Sequence, residues 1–195
     1  MRADVPIGVY LSGGIDSSAV LGIASEIHGK PLDAFTLCFE HDSYDESKVA
    51  GATAQHVGAN FNRINVTQSD LADNFEDAIW HCENTCINAH GVAKYMLSKA
   101  VQKAGYKVVL TGEGADEVFA GYPPFRQDNI LFNNSSEEHL VEKLHSENQV
   151  SAGLLLDDSH SADDLKRRLV SLLGYTPSWL LPQLGMIKSF SNLYR

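Results

Sequence analysis

Two short stretches hold residues whose types and spacing can do chemistry. The first is Ser12-Gly13-Gly14-Ile15-Asp16-Ser17-Ser18, directly after an apolar run. Gly13 and Gly14 let the backbone approach a ligand closely and take angles closed to other residues. A helix starting just beyond them points its free N–H groups and the positive end of its dipole into the same space. The hydroxyls of Ser12, Ser17 and Ser18 add donors. Together these groups describe a cradle for an oxyanion such as phosphate. Asp16 is then the odd member, because a carboxylate repels phosphate. A Mg²⁺ ion resolves the conflict, since it is commonly held by one or two carboxylates plus phosphate oxygens. The stretch lacks the lysine of G-x-x-x-x-G-K-[ST] and the spacing of G-x-G-x-x-G, so neither of those phosphate loops is meant. A plain strand-to-helix turn with Asp16 as a cap is the simpler alternative.

The second stretch is Thr111-Gly112-Glu113-Gly114-Ala115-Asp116-Glu117, running on to Tyr122. Gly112 and Gly114 again open the backbone, and three acids crowd one turn. Acids in a first helical turn gain roughly 0.3–1 kcal/mol each from the dipole, which is the bland account of them. A second glycine-and-acid loop gains weight when the first already calls for a metal. Asp16 and Asp116 can then hold Mg²⁺ from two sides of a pyrophosphate, and Glu113 is left for proton transfer.

Both stretches need strands to position them. Ile7 to Leu11 reads as a buried strand, and Ser17 to His28 as a helix with Val20, Leu21, Ala24 and Ile27 on one face, stopped by Gly29. Leu32 to Phe39 is a second strand, Asp45 to Val57 a second helix and Asn60 to Val66 a third strand. Ser69 or Asp70 caps a helix running to Trp80. Gly91 to Ala104 is another helix, and Lys107 to Leu110 a fourth strand. Strands alternating with helices predict an α/β fold, a doubly wound parallel sheet with helices on both faces. Ligands in such sheets sit beyond the carboxyl ends of the strands, where the loops after Leu11 and Leu110 both emerge. Beyond about residue 125 no strand is evident. Helix candidates at Glu137 to Glu147 and Asp163 to Leu173 predict a helical C-terminal portion, so the chain divides into a core over residues 1–125 and a helical extension over 126–195.

Bulk properties set outer limits. A chain of 195 residues with 44% hydrophobic and 21% charged residues suits one soluble α/β core. Its net charge of −10 argues against a nucleic-acid surface. No apolar run nears the roughly 20 residues of a membrane span, and the N-terminus lacks a signal peptide's basic and apolar regions. With three cysteines a disulfide scaffold is not expected, and the cytoplasm is the expected compartment.

Ser-Gly-Gly-Ile-Asp-Ser-Ser resembles the SGGxDSS loop of the ATP pyrophosphatase (PP-loop) superfamily. RADVPIGVYLSGGIDSSAV taken with LTGEGADEVFAGY resembles the synthetase domain of glutamine-hydrolysing asparagine synthetases, whose architecture β-lactam synthetases share. The segments YDESKVA, WHCEN and NAHGVAKYMLSKA are similar too, over roughly residues 2 to 125. The resemblance implies an ATP- and Mg²⁺-dependent ligase. It would form β-aspartyl-AMP and pyrophosphate from ATP and aspartate, and ammonia would then displace AMP to give asparagine. It implies that Ser12, Gly13, Gly14, Asp16 and Ser17 hold pyrophosphate and that Asp16 and Asp116 are Mg²⁺ ligands. Tyr10, Leu37, Thr111 and Gly112 would line the adenosine, and Glu113 would handle the ammonia and the intermediate. Met1 is followed by Arg2 where complete members carry a nucleophilic cysteine, and residues 126–195 do not match the family's later lysine-bearing segment. A partial chain is therefore expected, supplied with ammonia directly or by a separate glutaminase domain or subunit. Alternatives are a β-lactam synthetase-like or other PP-loop amidotransferase, or a non-catalytic nucleotide-binding paralogue. No nucleic-acid or membrane partner is expected, and self-association is left open.

Other residues read as structural. Cys82 and Cys86 are expected to be buried thiols, Phe75 and Trp80 core residues, and Lys94, Lys99 and Lys103 a solvated helix face. Asn88 is equally well a cap or a site residue.

Overall fold

A computed structural model of the chain describes residues 3–41, 43–84, 88–133, 163–177 and 180. The chain forms two compact units, Met1–Glu113 and Gly114–Arg195. In the first, strands β1 (Ile7–Tyr10), β2 (Asp33–Phe39), β3 (Asn60–Val66) and β4 (Val108–Leu110) make a four-stranded sheet in the order β3-β2-β1-β4. Every pairing is parallel. Helices α1 (Ile15–His28), α2 (Ser47–Val57), α3 (Gln68–Asp73), α4 (Phe75–Cys82) and α5 (His90–Lys103) form the connections. The α/β sheet expected from the alternating pattern is present.

Alternation along the strands assigns the two faces. Val9, Leu11 and Ala34 pack with Leu21 and Ala24 of α1 and with Ala50 and Ala54 of α2. On the other face Phe35 packs with Leu97 and Val101 of α5, flanked by Tyr10, Leu37, Ile64 and Val109. Gly8 makes room for this second layer: a Cβ there would lie 3.0 Å from the Phe35 ring. Thr36 is buried and donates its hydroxyl hydrogen to the carbonyl of Leu11 at 2.7 Å. That bond satisfies a carbonyl where β1 gives way to its loop, a group that would be costly to leave unpaired.

At the amino ends of the strands, Asp33 accepts hydrogen bonds from Tyr106 at 2.6 Å and from Asn62 at 3.1 Å. Burial alone would raise the Asp33 carboxyl, but the hydrogen bonds from Tyr106, Asn62 and Asn60 outweigh it and hold the group below its ordinary value. The same bond, with burial and the Asp33 charge adding, pushes Tyr106 up to about 12.

Several local expectations are corrected. The helix toward Trp80 is two helices broken at Asn74, and the cap is Thr67 rather than Ser69 or Asp70. Thr67 Oγ1 accepts from the Asp70 N–H at 3.0 Å while Asp70 Oδ2 accepts from the Thr67 N–H at 2.9 Å, a capping box. Trp80 is 80% exposed and Phe75 38% exposed, so α4 turns Ala78 inward instead. Ile27 is exposed while Leu21 and Ala24 of the same helix are buried. Cys82 is exposed and Cys38 buried, and Cys86 lies outside the described residues.

The second unit contains α6 (Ala115–Phe119), α7 (Pro123–Asn133) and α8 (Asp163–Leu173), with no strand among its described residues. Proline opens α7 at a first-turn position, where its missing N–H leaves no helical bond unmade. The candidate helix at Glu137 to Glu147 falls outside the described residues.

Candidate functional site

The loop after β1 begins where Leu11 N–H still bonds the Phe35 carbonyl at 2.9 Å. Its conformation is set by its own serines. Ser17 Oγ accepts from Ser12 N–H at 3.1 Å and lies 2.9 Å from Ser12 Oγ. Ser12 Oγ in turn accepts from Gly14 N–H at 3.2 Å, and Ser18 donates to the Gly14 carbonyl at 2.8 Å. Ser17 is buried and Ser12 exposed, so Ser17 fixes the loop from beneath while Ser12 stays open to solvent. Gly14 caps α1 without a side-chain hydrogen bond, which keeps the first-turn N–H groups clear of any protein acceptor at that position.

Gly112, leaving β4, lies against this helix start. A Cβ built on Gly112 would fall 2.7 Å from Ser17 N and 3.0 Å from Asp16 Cβ. No side chain fits there without moving one backbone or the other. The adjacency follows from topology. β1 and β4 are parallel neighbours with Val9 opposite Leu110, so both loops leave one rim of the sheet. Continuing that register by one residue sets Thr111 beside Tyr10.

Tyr10 and Leu37 flank the same apolar layer on the α5 face of the sheet. The Tyr10 hydroxyl lies 3.0 Å from Ser98 Oγ on α5. One turn earlier on that helix, Lys94 forms an ion pair with Glu113. Lys94 is exposed, as expected of a solvated face, and from there it engages the carboxylate of the second loop. Lys99 is half-buried rather than solvated, over the Tyr95 ring, 3.4 Å from Asn74 Oδ1 and 3.8 Å from Asp77. Asn88 precedes the α5 N-cap, Ala89, and its Oδ1 accepts from His90 N–H at 3.0 Å at the start of the helix.

One residue at this rim escaped the sequence reading. Glu46, at the N-cap of α2, accepts a hydrogen bond from Gly13 N–H at 2.8 Å. The contact spans 33 positions in the chain, and no local pattern announces it.

The fit of a divalent cation can be judged from the donor set. Asp16 is half-buried in the first turn of α1, and no hydrogen bond or ion pair among the described residues engages its carboxylate. Among the described residues no three acidic, histidine or cysteine side chains converge as a ready cage. Mg²⁺ takes few protein ligands and fills its shell with phosphate oxygens and water, and Asp16 is the carboxylate this loop could offer it. Asp116 belongs to the second unit, on α6, with its carboxylate folded against Gly121, where a Cβ would overlap Oδ1. Tyr10, Ser12, Gly13, Gly14, Asp16, Ser17, Leu37, Thr111, Gly112 and Glu113 all belong to the first unit. A cleft lined by Ala3, Pro6, His28, Asp33 and Tyr106 lies at the opposite rim, the amino ends of the strands, where the Tyr106 hydroxyl donates to Asp33.

A parallel sheet with a glycine loop opening onto a helix N-terminus at its carboxyl rim defines an α/β domain of the class whose ligands sit beyond the carboxyl ends of the strands. Residues 1–178 match the family described as Asparagine synthase. The chain belongs to the asparagine synthase family. Among curated relatives it is similar to the amidase chyE of Penicillium rubens, 42% identical over 142 residues, covering 66% of this chain and 21% of that protein. It is similar to asparagine synthetase [glutamine-hydrolyzing] 1 of Bacillus subtilis, 35% identical over 65% of this chain and 20% of that protein. A third relative is asparagine synthetase [glutamine-hydrolyzing] 2 of Lotus japonicus, 35% identical over 65% of this chain and 23% of that protein. The chain thus spans about a fifth of the length of these relatives. Among the described residues no helix is long and apolar enough to cross a membrane.

Proposed function

We propose that the chain is the adenylate-forming part of an ATP-dependent amide ligase. A carboxylate oxygen of the acceptor acid attacks the α-phosphorus of ATP, the α–β bridge breaks, and pyrophosphate leaves. Ammonia, free or delivered by a separate glutaminase, then attacks the acyl carbon and AMP departs. Aspartate is the acceptor and asparagine the product. In this reading the N–H groups of the first turn of α1 stabilise the leaving pyrophosphate, and the exposed Ser12 hydroxyl adds a donor. Ser17 holds the loop in shape. Tyr10, Leu37, Thr111 and Gly112 accommodate the adenosine. Glu113 accepts a proton from the attacking nitrogen, with Lys94 orienting its carboxylate. Mg²⁺, offered the carboxylate of Asp16, would neutralise phosphate charge when bound.

The observation that carries this reading is the approach of Gly112 to Asp16 and Ser17. It makes the two glycine loops one surface rather than two unrelated turns. The higher identity to an amidase, 42% against 35% for the synthetases, favours a second reading with the same activation step and a different acceptor acid. Pyrophosphate release with ATP, Mg²⁺, ammonium and a panel of carboxylic acids tests both. Aspartate-dependent release with asparagine formed supports the first; release with another acid supports the second. Glu113→Gln should leave nucleotide binding intact and suppress amide formation at least about a hundredfold, in the range that general bases contribute. No release with any acid would count against both.

A further inference from the structure

Glu46 occupies the phosphate loop. Its Oε2 lies 2.8 Å from Gly13 N, and the space beside Gly13 is filled by its side chain, with Cβ at 3.0 Å and Cδ at 3.4 Å from where a Gly13 Cβ would be. The backbone that presents Glu46 is pinned on both sides. Ser47 is buried and donates its hydroxyl hydrogen to Asp45 Oδ2 at 2.8 Å, and Arg63 Nη2 donates to Ser47 Oγ at 3.2 Å. The Ser47 hydrogen bonds lead in holding Asp45 below its ordinary carboxylate value, with the Arg63 charge a smaller contribution. Asp45 and Ser47 are thus committed, while Glu46 between them is exposed and has rotamer freedom.

An N–H donor cannot serve a carboxylate and a phosphate oxygen on the same axis, and two anions at that spacing repel. A metal-free phosphate must therefore expel Glu46 and then sit near its charge. A phosphate that arrives complexed to a divalent cation meets a different balance. The cation offsets the phosphate charge, and the displaced carboxylate remains near a positive centre. We propose that Glu46 is a specificity-determining residue that makes the loop select metal-complexed pyrophosphate, or the metal-complexed triphosphate tail, over the free anion. This rests on the pyrophosphate reading of the loop given above.

The test is titration calorimetry of the 195-residue chain with inorganic pyrophosphate, once in excess Mg²⁺ and once in EDTA. Wild type should bind the magnesium complex at least about tenfold tighter than the free anion, about 1.4 kcal/mol. Glu46→Gln keeps the side chain's length and an oxygen for Gly13 N–H. It should bind free pyrophosphate about tenfold tighter than wild type does, so that the preference largely disappears. Glu26→Gln, on α1 beside the cleft formed with the α2 C-terminus, removes the same formal charge and should keep the wild-type ratio. Equal ratios in wild type and Glu46→Gln, with matching thermal unfolding, would overturn the selectivity role alone. Failure of wild type to bind the magnesium complex would overturn both this inference and the pyrophosphate reading.

Discussion

Gly112 shows how much a single missing methyl can decide. Its place beside Ser17 N and Asp16 Cβ leaves no room for a Cβ, and its role is steric rather than conformational. Gly112→Ala should therefore cost about 1–3 kcal/mol of stability, as overpacking typically does. It should weaken Mg²⁺–pyrophosphate binding by more than tenfold, because relief requires moving the helix start or the second loop. A denaturant melt and a binding titration on the same sample check both. An alanine variant with wild-type stability and affinity would mean that the loops are not in contact. Gly13 and Gly14 prompt the proposal of an anion cradle from their neighbours alone. The partners of the two loops could not be found so: Glu46 and Lys94 reach Gly13 and Glu113 across 33 and 19 positions. Each reads in isolation as an ordinary surface charge.

At the scale of elements, the two rims of the sheet have different duties. The carboxyl rim holds glycine loops opening onto the start of α1, with Gly13 N–H engaged by Glu46, whereas at the amino rim Asp33 and Tyr106 clamp each other. Asp33 of β2 there receives hydrogen bonds from Asn62 of β3 and from Tyr106, just ahead of β4. Tyr106→Phe should lower stability near neutral pH by about 1 kcal/mol, a hydrogen-bond value reduced for partial solvent exposure. The pH dependence has a definite sign. Tyr106 is raised from 10.0 to about 12, so its contribution is full below pH 10 and is lost as pH rises toward 12. Asp33 is lowered, so its contribution is full above the ordinary aspartate value and is lost as pH falls through the depressed one. Chemical denaturation from pH 9 to 12 should show a decline in wild type that the phenylalanine variant lacks. An identical decline in both would remove the clamp from the account. The strands themselves were legible because apolar runs of the right length met glycine or polar breaks. Helix starts were less so, since Thr67, Ser69 and Asp70 all have cap chemistry and only the Thr67–Asp70 reciprocity picks one. Trp80 was misread because a large aromatic on a short helix suggests core, while Ala78 fills the inward position.

For the whole molecule, the formal charge of −10 and the anion binding proposed for the loop after β1 pull in opposite directions. A chain this acidic repels free phosphates at long range, so the loop's donors and a divalent cation must supply the attraction. The central claim is that the loop after β1 grips a magnesium-bound phosphate tail through Asp16. Calorimetric titration of Mg²⁺–pyrophosphate into wild type and Asp16→Asn tests it most directly. The account predicts saturable, Mg²⁺-dependent binding by wild type and at least a tenfold loss in Asp16→Asn at unchanged thermal stability. Equal affinity in the two proteins, or no binding by wild type, would contradict it.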